Sequence, residues 1–110
     1  MKKRNVKDVR PVESAPGVFR RTLAFDDQLM LCHFTLKRGA KIPLHSHAPS
    51  QAGTVVSGRV RFIGATAADS FEVGPGDSYV FSPNVPHGAE VLEEAVFIEA
   101  FSPSRPEYQA

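Results

Sequence analysis

Gly39-Ala40-Lys41-Ile42-Pro43-Leu44-His45-Ser46-His47-Ala48-Pro49-Ser50-Gln51 is the stretch on which the reading of this chain turns. Five residues stand between Gly39 and His45, one between His45 and His47, three between His47 and Gln51, and six between Gln51 and Gly58. On an extended segment, residues two apart leave the same face, so His45 and His47 point the same way. Two imidazoles on one face can converge on an ion. Surface and core histidines are common, so the pair alone leaves both readings open. A second block follows: Pro75-Gly76-Asp77, then, with five residues between Gly76 and Ser82, the run Ser82-Pro83-Asn84-Val85-Pro86-His87.

Outward from these blocks, nine Pro and eight Gly cut the chain into short pieces, and almost every piece reads as strand. The candidates are residues 18–23, 28–37, 41–44, 51–57, 59–63, 70–73, 78–81, 88–91 and 95–101. The longest alternates cleanly, with Met30, Cys32, Phe34 and Leu36 on one face and Leu29, Leu31, His33 and Thr35 on the other. Turn chemistry joins the pieces at Asp26-Asp27, Arg38-Gly39, Ser57-Gly58, Gly74-Pro75-Gly76-Asp77 and Ser82-Pro83-Asn84. Only Leu92-Glu93-Glu94-Ala95 hints at helix. The basic first ten residues and the tail after Ser102 read as arms. Many short strands with regular turns predict an all-β sandwich or barrel. Closing or pairing its edges removes the exposed-edge hazard, and a homodimer with exchanged arms is one way to do so.

A length of 110 residues leaves room for one compact domain. Thirteen Lys plus Arg against twelve Asp plus Glu give a net charge of +1, so no single-sign field draws nucleic acid or anionic lipid. Cys32 is the only cysteine, which excludes an internal disulfide and a cysteine-based zinc site. In its apolar run it reads as a small buried hydrophobe. Met1-Lys2-Lys3-Arg4 imitates the start of an export signal, but Asn5, Lys7, Asp8 and Arg10 interrupt any apolar stretch. No run is long enough to span a membrane. A cytoplasmic setting is therefore expected.

The two blocks, at these spacings from Gly39 to Val91, resemble the paired motifs of the cupin superfamily. The resemblance implies an RmlC-like jelly-roll β-barrel. It would be one domain over residues 1–110, with a core at about 17–102 and a flexible arm at either end. It also implies a metal site built from His45, His47, Gln51 and His87. The family's usual Glu is Gln51 here, Ser82 and Asn84 replace a Pro and a Gly, and Val91 replaces a closing Asn. Asn tolerates the left-handed backbone that Gly provides. With an amide in place of a carboxylate, a divalent ion keeps its full charge, making it a stronger Lewis acid and a better anchor for an anion. Imidazole-rich sites accept nickel, zinc, iron, manganese or copper. The competing reading is that Gln51 merely hydrogen-bonds inside the barrel. His33 reads as a hydrogen-bonded structural histidine.

Alternation over residues 95–101 sets Phe97, Glu99 and Phe101 on one face. Glu99 is thus an acid bracketed by apolar residues. It is either buried, with the raised pKa that suits general acid–base work, or at a strand edge paired with a surface cation. Periodicity does not choose between these. Gly17-Val18-Phe19-Arg20-Arg21, Leu29-Met30, Leu44-His45-Ser46-His47 with Gln51, residues Pro83-Asn84-Val85-Pro86-His87-Gly88, and Glu99-Ala100-Phe101-Ser102-Pro103-Ser104-Arg105 are similar to the KdgF-type pectin-degradation cupins. Those enzymes convert unsaturated uronates, released by polyuronate lyases, to open-chain keto forms. The resemblance implies a metal-dependent isomerase in which the metal holds substrate oxygens, Glu99 moves a proton and Arg105 clamps the uronate carboxylate. An Asp stands at the Glu99 position in that family, so the longer side chain moves the reacting oxygen. Phe81, Phe101 and Tyr79 line the pocket or are plain core. Arg20 and Arg21 are solvated charges unless one helps with the carboxylate. A metal-dependent oxygenase and a non-catalytic sugar-binding module are the alternative functions.

Overall fold

The computed structural model describes residues 1–109. Eight strands follow in order: β1 Val12–Ala15, β2 Val18–Phe25, β3 Met30–Leu36, β4 Lys41–His45, β5 Ser50–Ile63, β6 Phe71–Val73, β7 Ser78–Phe81 and β8 His87–Ser102. Three single-turn helices, Val6–Asp8, Ala67–Asp69 and Pro106–Tyr108, complete the secondary structure. Among the described residues no helix is long and apolar enough to cross a membrane.

Two long strands organise the sheet. One edge of β8 takes β4 near its start and β3 over its second half, in the register Met30↔Phe101 to Leu36↔Ala95. Its other edge takes β5. The free edge of β5 takes β7 along its first half and β6 along its second. All these pairings are antiparallel, and β1 and β2 extend the sheet beyond β3. The register of β5 slips three times between Val55 and Val60, and bulges of this kind bend a strand and increase its twist. Gly58 sits in this stretch with φ +84°, where a Cβ would collide with the Glu94 carbonyl and Ala95.

The reading of 51–57 and 59–63 as separate strands is therefore corrected: the Ser57-Gly58 signal marks a bend within one strand. The helical hint at Leu92–Ala95 is also corrected. That stretch lies inside β8, where Glu93 pairs with Arg59 and Ala95 with Leu36. One turn of helix propensity does not outweigh ladder hydrogen bonds on both sides.

Alternation places the core. Met30, Cys32, Phe34 and Leu36 on β3 face inward, as do Ala95, Phe97, Glu99 and Phe101 on β8. Cys32 is wholly buried, and burial pushes its thiol up to about 11, so it behaves as a hydrophobe at neutral pH. The tail after Ser102 is not a free arm. Ser104 is buried, its hydroxyl donating to the Asp26 carbonyl and its N–H to the Asp27 carbonyl. Beyond it, the Tyr108 ring packs edge-on against Phe34 and Phe101.

Candidate functional site

Pairing register gathers the histidines. His45 ends β4 and lies opposite His87, which begins β8. His47 follows in the connection, and Gln51 opens β5 between Phe81 and Phe101. One ring nitrogen from each of the three imidazoles lies within 4.8 Å of its counterparts. Exposure falls across the trio, from exposed His45 through half-buried His47 to His87 at 6%.

Each imidazole is oriented by a backbone carbonyl. The Nδ1–H of His45 donates to Pro43 at 2.9 Å, that of His47 to Pro49 at 2.8 Å and that of His87 to Val85 at 2.8 Å. A carbonyl only accepts, so the proton is on Nδ1, and in each neutral ring Nε2 carries the free lone pair. His87 Nε2 is buried with no hydrogen-bond partner among the described residues. His47 Nε2 faces the amide oxygen of Gln51 at 2.9 Å. Two lone pairs meet there, and the contact is favourable only with a positive charge, proton or metal ion, between them. Ligand atoms about 2.1 Å from one ion and at right angles lie about 3 Å apart, which matches this spacing. The donor set is therefore all acceptors, convergent, and fits a divalent transition metal.

Glu99, near the end of β8 and only 5% exposed, lines a cavity together with His45, Gln51 and His87. Its Oε2 accepts twice, from the Gln51 amide nitrogen at 2.7 Å and from the Tyr79 hydroxyl. Oε1 takes no hydrogen bond from the described residues. Burial raises the Glu99 pKa, while the bonds from Tyr79 and Gln51 and the charge of Arg105 pull it down. Burial likewise lowers the His87 pKa, aided by His45, His47 and Arg105 and opposed by the Val85 carbonyl. The cavity holds about 140 Å³. His45, Gln51, His87, Glu99 and Arg105 are among its polar lining, and Phe34, Phe97 and Tyr108 among its apolar lining.

The family model described as Cupin domain matches residues 32–101, a span holding the trio, Gln51 and Glu99. The chain is a cupin. Its fold is similar to that of an RmlC-like cupin from Shewanella frigidimarina NCIMB 400, at 26% identity and TM-score 0.89, over 98% of this chain and 96% of that one. KdgF from Halomonas sp. is 28% identical with TM-score 0.88, over 97% of each chain. The polyketide cyclase RemF from Streptomyces resistomycificus, 24% identical with TM-score 0.79 over 96% of this chain and 82% of that one, shares the fold. Among curated protein sequences none matches significantly.

In this cupin the substituted motif positions are met by local structure. Asn84 takes φ 64°, the left-handed backbone expected of it, and its N–H donates to the His47 carbonyl. Of the three aromatics, Phe101 lines the cavity and Phe81 stacks behind His87 at 4.3 Å between ring centres. Tyr79 instead turns its hydroxyl to Glu99. Arg20 corrects the expectation of a solvated charge: it is 5% exposed, with its guanidinium 4.3 Å from the Tyr108 ring centre. Arg21 is half-buried and donates to the Val9 carbonyl at 3.2 Å. His33 lies on the outer face of β3 opposite Arg21, away from the trio, and its buried Nδ1 has no partner among the described residues. The hydrogen bond expected of this histidine is not found at Nδ1 among the described residues.

Sequence reasoning missed Tyr79 as a partner of the acid and Tyr108 as a cavity wall. Tyr79 alternates with Phe81 like any core aromatic, and Tyr108 follows Pro106 and Glu107 in a stretch with no apolar period. Neither carries a local signal.

Proposed function

We propose that this cupin is a metal-dependent isomerase of an unsaturated uronate or a related sugar acid. Its metal would be held by His45, His47, Gln51 and His87, with Glu99 carrying the proton and Arg105 binding the carboxylate. The observation that carries the reading is a buried Glu99, its Oε1 free of hydrogen bonds from the described residues, in one cavity with Arg105 and with His45 and His87 of the imidazole trio. The likeness to KdgF from Halomonas sp. over 97% of each chain supports the substrate class.

The reaction is an isomerisation in which no atoms are gained or lost. The hemiacetal hydroxyl at C1 gives up its proton, the bond from C1 to the ring oxygen breaks, and an aldehyde and an enolate result. A proton added at C4 then gives the ketone. One carboxylate that accepts the first proton and returns it suffices, and Glu99 has a free oxygen for both transfers. Tyr79 and Gln51 hold its other oxygen still. Arg105 engages Glu107 through Nε at 2.6 Å, which leaves its terminal nitrogens for a substrate carboxylate. The aromatic rings lining the cavity, Phe34, Phe97, Phe101 and Tyr108, keep its interior apolar around Glu99. A divalent ion bound to the imidazoles supplies Lewis-acid polarisation of a sugar oxygen.

The test is to incubate ion-loaded protein with an unsaturated uronate and follow its proton spectrum with and without air. Faster ring opening in both gases is expected, and Glu99→Gln should slow it by roughly 10²–10⁴-fold. Change only in air points to an oxygenase. No change, with retained ligand binding, points to a binding module.

A further inference from the structure

Gln51 departs from the carboxylate usual at its motif position, and Glu99 lies against its amide. An amide has two unlike ends, and which end faces the histidines decides whether Gln51 is a ligand at all. With Oε1 toward His47 Nε2, as observed at 2.9 Å, it offers a lone pair. Turned over, its N–H would donate to that imidazole nitrogen and block the position. The turned amide would also satisfy His47 without any ion, so local chemistry around His47 favours the non-binding orientation.

The geometry points to Glu99 and Tyr79 as positioning residues that hold the Gln51 amide oxygen toward the metal position, a role separate from proton transfer. This rests on the metal reading given above. The Gln51 Nε2–H donates to Glu99 Oε2 at 2.7 Å, and the Tyr79 hydroxyl donates to the same oxygen. With the amide turned over, its oxygen would face the carboxylate oxygen in a buried site, two acceptors with no hydrogen between them. Tyr79 in turn fixes Oε2 as the oxygen that receives the amide. Gly53, pairing with both Tyr79 and Glu99 across the ladders, leaves the space these groups fill, since a Cβ there would stand 2.9 Å from Glu99 Cγ. The amide at 51 and the acid at 99 are thus a matched pair. A carboxylate at 51 would have no N–H to give and would face Glu99 charge to charge.

Titration calorimetry with nickel and zinc ions on the native chain, E99Q and E99L separates the two roles of Glu99. The amide introduced by E99Q retains an acceptor for the Gln51 N–H but is not a carboxylate, whereas the aliphatic side chain introduced by E99L offers neither. We expect E99L to weaken ion binding by about 10–100-fold, the range typical of lost orienting partners, and E99Q by less than about threefold. The double variant E99L/Y79F, which leaves no stranded hydroxyl, should match E99L. Equal weakening in E99Q and E99L, or native affinity in E99L, overturns the proposal. A second readout needs no ion: the Gln51 side-chain amide protons should exchange slowly in the native chain and E99Q, and quickly in E99L. If the native chain takes up no ion, the metal reading falls. The amide signal then decides the orienting role by itself, and equal exchange in all three proteins overturns it.

Discussion

At the scale of single residues, His33 offers a pH response that can be separated from the cavity. Burial lowers its pKa from 6.5, and the charge of Arg21 lowers it further. The folded chain therefore resists the proton that the unfolded chain accepts. Its contribution to stability is complete above about pH 6.5 and is lost as pH falls through that value toward the folded pKa. His87 shifts in the same direction, so the native curve alone is ambiguous. The comparison with H33Q resolves it. Urea midpoints of the metal-free native protein should fall more steeply from pH 7 to pH 5 than those of H33Q, and parallel curves would remove His33 from the account. At this scale the sequence was informative where a side chain's neighbours on its own strand decide its burial. The inward set Met30, Cys32, Phe34 and Leu36 follows from alternation, and the burial of Glu99 follows once its face is known. It was uninformative where the partner comes from another strand. Nothing local to Tyr79 says that a carboxylate lies opposite, and nothing local to Arg20 says that a ring from the far end of the chain covers it.

At the scale of elements, the signals that marked turns were misread where a strand bends without ending. Gly58 shows why. Its positive φ is what a turn requires, yet β5 continues through it because both of its flanks remain paired with β8. Gly76 has a similar φ, +89°, but among the described residues nothing lies within 4 Å of where a Cβ would stand. The two glycines therefore separate backbone cost from collision. Gly76→Ala should cost about 1–2 kcal/mol, the penalty for an L residue in left-handed backbone. Gly58→Ala should cost more, on the order of 3 kcal/mol or above, because the added methyl also meets the Glu94 carbonyl and Ala95 on β8. Chemical denaturation of both variants measures the difference. Equal losses would mean that β8 yields freely at Ala95, which its complete burial argues against.

For the molecule as a whole, stability and the site are linked, because the candidate ligands are far apart in sequence and meet only when β4, β5 and β8 are in register. His45 and His87 are partners across β4 and β8, and the ladder on the other edge of β8, with β5, sets Gln51 opposite Phe101. The unfolded chain has no comparable site, so an ion that binds the folded chain adds stability by mass action, about 2.7 kcal/mol at a hundredfold excess over its dissociation constant. For a domain of this size that is roughly 10 °C in melting temperature. Thermal unfolding of chelator-treated protein with and without added nickel or zinc should show the rise, and His87→Ala should abolish it while leaving the metal-free melt largely in place. The specificity of that loss matters. His87 Nε2 is buried without a partner among the described residues, so removing the ring takes away a polar atom they leave unpaired along with a contact, and the two effects oppose each other in the metal-free chain. A metal-free melt lowered as much as the loaded one would make His87 a packing residue first. Identical melts with and without ion in the native chain would leave three oriented imidazoles with no cation to hold.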